Sequence, residues 1–253
     1  MKIHPRDTTP QRDLPPTRRL GIDLGTTNTV AAVEGIPLPL AGESGRTTLP
    51  SAVSFLPNGE TLVGTAAKRR RSVDPKNTIF SAKRIIGRGW DDPAVQAFTE
   101  NYGFDLADVE DGSVAIRTRC GPIHPIDVAS LVLTHLVSQI THDVTEIEET
   151  IITVPSGFDA RQREATLRAG EKAGLSSIRL IEEPLAAAHA YAHVSNPVER
   201  ACVYDFGGGT FDASVLRCTG DGFELAGKPD GIERLGGICL LYTSDAADES
   251  SSV

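Results

Sequence analysis

One layout occurs twice in the chain and limits the fold more than any other feature: GIDLGTTNT at 21–29 and VYDFGGGTFD at 203–212. Each runs from an apolar strand through an Asp and an apolar residue to a Gly with small or hydroxyl neighbours, then into a second strand. Such a stretch reads as a tight β-hairpin whose glycines accept positive φ and let backbone N–H groups approach a ligand closely. Successive N–H groups pointing inward form an anion nest. An Asp at the strand end can order Mg²⁺ through water while hydroxyls and amides hold phosphate oxygens. One such hairpin is weak evidence, because Gly-rich turns occur in any sheet. Two matched hairpins suggest a nucleoside triphosphate clamped between two lobes.

The rest of the chain places these hairpins in an α/β protein, because short apolar runs flanked by Gly alternate with helical patterns. Strands are predicted at 20–24, 28–34, 50–55, 149–154, 177–182, 200–206 and 210–217. The run from Pro125 (PIDVASLVLTHLVSQITHDV) repeats apolar residues at three and four positions, and 159–173 opens on an Asp able to cap a helix. A third helix is expected after Pro184, with the proline in its first turn. Between 95 and 120 the periodicity supports only a short helix and a strand near 114–118. Residues 1–18, rich in Pro, Thr and charge, read as a disordered arm.

Composition narrows the function. A net charge of −9 over 253 residues argues against a nucleic-acid protein, which normally carries a basic footprint, so any phosphate site must be local. No stretch reaches the roughly 18 apolar residues needed to span a bilayer, and the N-terminus lacks the apolar core of a signal peptide. The cytoplasm is therefore the expected compartment. Cys120, Cys202, Cys218 and Cys239 form no CxxC pair, which suits reducing conditions, and Cys202, inside an apolar strand, is expected in the core.

The two hairpins resemble the phosphate loops of the actin, sugar-kinase and heat-shock ATPase superfamily. Together with ETLVGTAAKRR, NTIFSAKRIIGR, IITVPSGFDARQREATLRAGEKAGL and RLIEEPLAAAHAYA, they are similar in order and spacing to the nucleotide-binding domain of the DnaK-type 70-kDa heat-shock chaperones. The resemblance covers about residues 20–237. It implies an actin-like (ribonuclease H-like) ATPase fold, with lobe I and the start of lobe II within residues 19–238. It also implies an ATP-dependent chaperone that hydrolyses Mg-ATP to control peptide binding by a C-terminal domain that this sequence does not contain.

By the same resemblance, the first phosphate loop falls on Gly25, Thr26, Thr27 and Asn28, and the second on Gly207, Gly208, Gly209 and Thr210. Asp23, Asp205 and Asp212 fall at metal-ordering positions, and Asp205 and Thr210 join Lys68 and Glu183 in the catalytic set. Lys68 matches the lysine that reaches the γ-phosphate, where charge builds during transfer. Glu183 matches the acid beside the attacking water, and it also suits a helix N-terminus. Pro155 and Arg163 match relay positions, and Arg179 a contact with a J-domain partner. The implied ligands are ATP or ADP with Mg²⁺, with K⁺ as a further option. The implied partners are a J-domain cochaperone, a nucleotide-exchange factor and unfolded peptides, with neither nucleic acid nor membrane.

The chain departs from the family in two places within this region. TVPSGF stands where TVPAYF is usual, so Ser156 and Gly157 remove an aromatic side chain beside the relay, and EEPL replaces NEPT. FDARQR and DGFELAGKPDGIERLGG are similar to the iron–sulfur-assembly branch, HscA type. After Leu235, Gly236, Gly237 and Ile238 the resemblance stops, and one codon choice for CLLYTSDAADE resembles a sequencing-adapter end. Residues 239–253 are therefore expected to be a non-native tail on a truncated gene. The rival readings are a small-molecule kinase or an actin-like filament ATPase of the same superfold, or a non-functional fragment.

Overall fold

A computed structural model describes residues 19–33, 35–99, 102–109, 111–140, 147–192, 199–207, 211–219, 222–227 and 230–232. The expected arm at 1–18, Gly208, Gly209 and Thr210 of the second loop, and the expected tail from Cys239 lie outside the described residues.

The first hairpin opens the principal sheet. Strand β1 (Arg19–Leu24) turns back into β2 (Asn28–Val33), paired antiparallel from Leu24 opposite Thr29 to Gly21 opposite Ala32. Alternation along β1 buries Leu20, Ile22 and Leu24 in the core and leaves Asp23 on the other face. Short strands β3 (Ile36–Pro37) and β4 (Thr48–Pro50) both pair with β2. Ser51 then separates β4 from β5 (Ala52–Phe55), so the single strand expected over 50–55 is two strands in different sheets.

Strand β5 is central to a small sheet with β6 (Thr61–Val63) and β7 (Thr78–Phe80), and the one-turn helix α1 (Thr65–Lys68) lies between those two. Helix α2 (Pro93–Thr99) and an antiparallel sheet of β8 (Leu106–Asp108), β9 (Val114–Thr118) and β10 (Gly121–Ile123) fill the weakly periodic region. Phe80, Phe98, Tyr102 and Phe104 pack there with ring centroids 3.9 to 5.7 Å apart.

Helix α3 (Pro125–Ile140) buries Val128, Val132, Leu133, Leu136 and Ile140, the apolar face its spacing predicts. Strand β11 (Glu149–Val154), helix α4 (Ala160–Lys172) and strand β12 (Ile178–Glu182) form a β–α–β crossover, and β11 lies parallel to both β1 and β12. Residues of β1, β11, α3 and α4 share one hydrophobic core. Helix α5 (Glu183–Ala192) follows β12 without an intervening loop.

The second hairpin is β13 (Arg200–Phe206) and β14 (Phe211–Thr219), joined in a separate sheet by β15 (Gly222–Leu225) and β16 (Asp230–Ile232). Here the expectation for Cys202 is corrected: it is exposed, on the same side of β13 as exposed Tyr204 and Phe206. Nothing described packs over that side, so the apolar run does not become core. Cys120, Cys202 and Cys218 are all unpaired. The architecture is mixed α/β, and among the described residues no helix is long and apolar enough to cross a membrane.

Candidate nucleotide site

The loop between β1 and β2 is tight because of space, not torsion. Gly25 does not adopt a positive φ, contrary to the expectation from its sequence. A Cβ there would instead lie 2.2 Å from the Asn28 carbonyl oxygen, so only glycine lets the loop close. Ser51 braces the turn: its Oγ donates to the Gly25 carbonyl at 2.8 Å and lies 2.9 Å from Thr29 Oγ1, while its N–H donates to the Thr27 carbonyl at 2.9 Å. Thr27 Oγ1 is buried with no hydrogen-bond partner among the described residues. Within the described residues this hydroxyl is thus an unused donor in a glycine-closed turn.

In the second hairpin the ladder places Phe206 opposite Phe211 and Asp205 opposite Asp212. Two carboxylates directly opposed across an antiparallel pair repel each other unless a cation intervenes. Asp205, Asp212 and Ser214 line a narrow cleft with Val203, Pro155, Ser156, Glu183 and Pro184, so this hairpin faces the ends of β11 and β12. Asp23 reaches the same neighbourhood from β1, and its Oδ1 accepts a hydrogen bond from Thr153 Oγ1 at 2.7 Å.

Partial burial pushes the Asp205 carboxyl above its usual range; the Asp23 charge adds to this and Lys83 opposes it. Glu183 is raised too, by burial foremost, with Lys83 pulling it back and the charges of Asp23 and Asp205 pushing it up. Asp23, Glu183 and Asp205 are therefore within electrostatic reach of one another.

Glu183 begins α5, where the helix dipole favours a carboxylate, and Pro184 fills the next position. Its partner was not anticipated from the sequence. Lys83 Nζ lies 2.5 Å from Glu183 Oε1, in a pair whose side chains are only 10% and 17% exposed. The one available signal was NTIFSAKRIIGR, which carries the resemblance without marking the lysine as a site residue. Ser51 and Thr153 were missed as well, because each acts on a loop or carboxylate far away in sequence.

Lys68 stands elsewhere. It lines a cavity of about 370 Å³ with Asn28, Arg46, Thr48, Pro50, Thr65 and Arg69, which shares no residue with the Glu183 cleft. Its one-turn helix is held by Glu43, a buried carboxylate that accepts from the Thr65 N–H at 2.9 Å and also from the Thr65 hydroxyl. The structure thus brings Lys68 to the first loop and Lys83 to the carboxylates. Gly25, Thr26, Thr27 and Asn28 form the first turn, Gly207 follows β13, and Gly208, Gly209 and Thr210 are not described.

The relay candidates fall beside this cleft. Pro155 lines it, and Arg163 donates to the Phe158 carbonyl at 3.0 Å and to Glu182 Oε1 at 2.8 Å. A Cβ on Gly157 would meet nothing within 4 Å, so the position is open where the family pattern carries an aromatic ring. Arg179 is exposed and shares Glu149 with Arg19, at 3.1 and 3.2 Å.

Comparison with known proteins shows the family. The family model described as Hsp70 protein matches residues 19–239. The chaperone protein DnaK of Akkermansia muciniphila is 43% identical over 225 residues, covering 86% of this chain and 35% of that protein. The chaperone protein HscA homologs of Herminiimonas arsenicoxydans and Polynucleobacter asymbioticus are each 42% identical, covering 86% and 90% of this chain and 35% and 37% of their own lengths. The chain therefore spans just over a third of the relatives it matches. With both hairpins, the β–α–β unit between them and the cleft carboxylates inside the matched region, the chain belongs to the Hsp70 family.

Proposed function

We propose that this chain is part of the ATPase portion of an ATP-dependent chaperone, comprising lobe I and the first part of lobe II within residues 19–238. Residues 1–18 would then be an arm, and 239–253 a tail foreign to the fold. The observation that carries the reading is that Glu183 and Asp205 line one cleft and both feel the charge of Asp23 from the first hairpin.

The residues fit a Mg-nucleotide. The orphaned Thr27 hydroxyl and the amides of Gly25, Thr26 and Asn28 would hold phosphate oxygens, with Gly207, Gly208, Gly209 and Thr210 opposite. Asp23, Asp205 and Asp212 would hold the ion through its water shell. Among the described residues no group of three or more His, Cys, Asp or Glu can hold a metal directly. Mg²⁺ keeps several waters in sites of this kind. The bound ion would neutralise charge developing on the transferring phosphoryl group. Glu183 would orient the attacking water, Lys68 would supply positive charge from the first-loop side, and Thr210 would complete the second loop.

In this reading, hydrolysis controls peptide binding by a domain outside this sequence, and a J-domain cochaperone and an exchange factor set the cycle in the cytoplasm. Pro155 and Arg163 relay the nucleotide state, and Arg179 faces the J-domain. K⁺ would join Mg²⁺ at the phosphates. Resemblance in FDARQR to the HscA type gives iron–sulfur assembly as a second reading beside general folding, and relatives of both names, DnaK at 43% and HscA homologs at 42% identity, match the chain.

The test joins residues 19–238 to the remainder of a full-length HscA homolog and measures ATP turnover. Asp205→Asn, Thr210→Val and Lys68→Ala should each lower turnover by about tenfold or more. Turnover unchanged by all three, or dependent on an added sugar or small acid and insensitive to a J-domain protein, would sink the chaperone assignment.

A further inference from the structure

Lys83 sits in a short 3-10 turn over Ala82–Arg84, fixed at both ends. Ser81 before it is buried in the left-handed region at φ 59°, which a non-glycine residue rarely adopts. Gly87 after it, at φ 69°, packs so closely that a Cβ would lie 2.7 Å from the backbone of Arg161 and Gln162 at the start of α4. The turn is thus pinned to the same helix that carries Arg163. From it the Lys83 side chain reaches Glu183, with its ammonium 5.9 Å from the centroid of the Phe158 ring.

The charge around this ammonium is unbalanced. The neighbouring Glu182 has its own cation in Arg163. Glu183 shares its cleft with Asp205 and Asp212, which are directly opposed in the ladder, and Asp23 acts on Glu183 from β1. A structural ion pair needs one carboxylate for one ammonium. Among the described residues this nine-tenths buried ammonium acts on both Glu183 and Asp205, and Asp23 acts on the same two carboxylates, so it offsets like charges that are costly to gather out of water.

We propose that Lys83 is a positioning residue, the resident counter-ion of this carboxylate cluster, which fixes Glu183 in place and sets how tightly the cleft takes a divalent cation. The proposal rests on the nucleotide reading above, in which Asp23, Asp205 and Asp212 order the ion. A divalent cation entering the cleft has to share Glu183 and its neighbours with the ammonium, so the lysine lowers ion affinity while offsetting the repulsion among the carboxylates when no ion is bound.

The probe is Mn²⁺ alone, added to the full 253-residue chain and followed by the electron paramagnetic resonance of the free ion. Lys83→Met and Lys83→Gln should bind Mn²⁺ on the order of tenfold more tightly than the native chain, because one nearby positive charge has been removed. Lys83→Arg, which keeps the charge, should stay near the native value. Neutral variants with native affinity, or an arginine variant that behaves like methionine, would overturn the role of Lys83. A neutral variant that folds only when Mg²⁺ is added supports it, and one unfolded at every Mg²⁺ concentration shows a structural brace instead. If the native chain binds Mn²⁺ and the neutral variants match it, only this inference fails. If no variant binds the ion, the metal-ordering role of the aspartates fails with it.

Discussion

A Cβ on residue 25 would collide with the Asn28 carbonyl, and the collision partner is backbone, which cannot rotate away. Gly25→Ala should therefore force the first hairpin open and cost about 1–3 kcal/mol, read as a lowered midpoint in urea with little change in slope. Glu183 yields a pH prediction of definite sign. Burial holds its native carboxyl above the ordinary 4.5 of a glutamate. A raised acid contributes stability below that ordinary value and loses it as pH rises through the native one, so at pH 7 the ionised form weakens the fold. Glu183→Gln, whose amide oxygen can still accept from Lys83, should raise the thermal midpoint at pH 7. The gain should shrink as the pH falls towards 4.5. A gain that is constant with pH would mean that burial of the charge is not its source. The places of Asp23 and Asp205 near strand ends were legible in the repeated hairpin layout, and that of Glu183 at a helix start in the proline after it, while their roles came only from the family resemblance. Lys83 was not, because its meaning depends on a contact across 100 positions, and an ion pair leaves no local pattern.

Elements were legible where a single period persisted. Strand β11 was predicted at its observed bounds, α3 showed its apolar stripe and α4 its capping Asp. The expected 50–55 strand broke at Ser51 because that residue turns its N–H and hydroxyl to the first loop instead of to a ladder. Strands β6, β7, β8 and β10 have only three residues each, too few for alternation to register. Helix α4 shows what a readable cap does. Asp159 accepts from the Gln162 N–H at 2.9 Å and the Gln162 side chain accepts from the Asp159 N–H at 3.2 Å, a reciprocal capping box. Asp159→Ala should cost about 1 kcal/mol. Because Arg163 lies in the same first turn, hydrogen exchange should also quicken at Phe158 and Arg163 while α3 stays protected. Uniform quickening across α3 and α4 would count against a local cap.

At the scale of the molecule the second sheet has two unlike faces. Ala201, Val203 and Asp205 alternate along β13 with Cys202, Tyr204 and Phe206, and the ladder sets Val215 opposite Cys202 and Phe211 opposite Phe206. Of the first set, Val203 and Asp205 line the cleft. The second leaves Tyr204, Phe206 and Val215 69%, 52% and 47% exposed, large apolar side chains gathered on one flat surface. Clusters of this kind drive association, and a sheet face offers no curvature to limit it. The same alternation that aims Asp205 at the cleft should therefore make the 253-residue chain self-associate. Light scattering of the chain should rise with concentration, and Tyr204→Ser with Phe206→Thr and Val215→Thr should suppress it. The triple variant should keep its far-ultraviolet circular dichroism, since threonine suits a strand and none of the three side chains is buried. Scattering that persists in the folded triple variant would place the sticky surface elsewhere. Joining the chain to a relative's remaining two thirds should suppress scattering without any substitution if those residues cover the face.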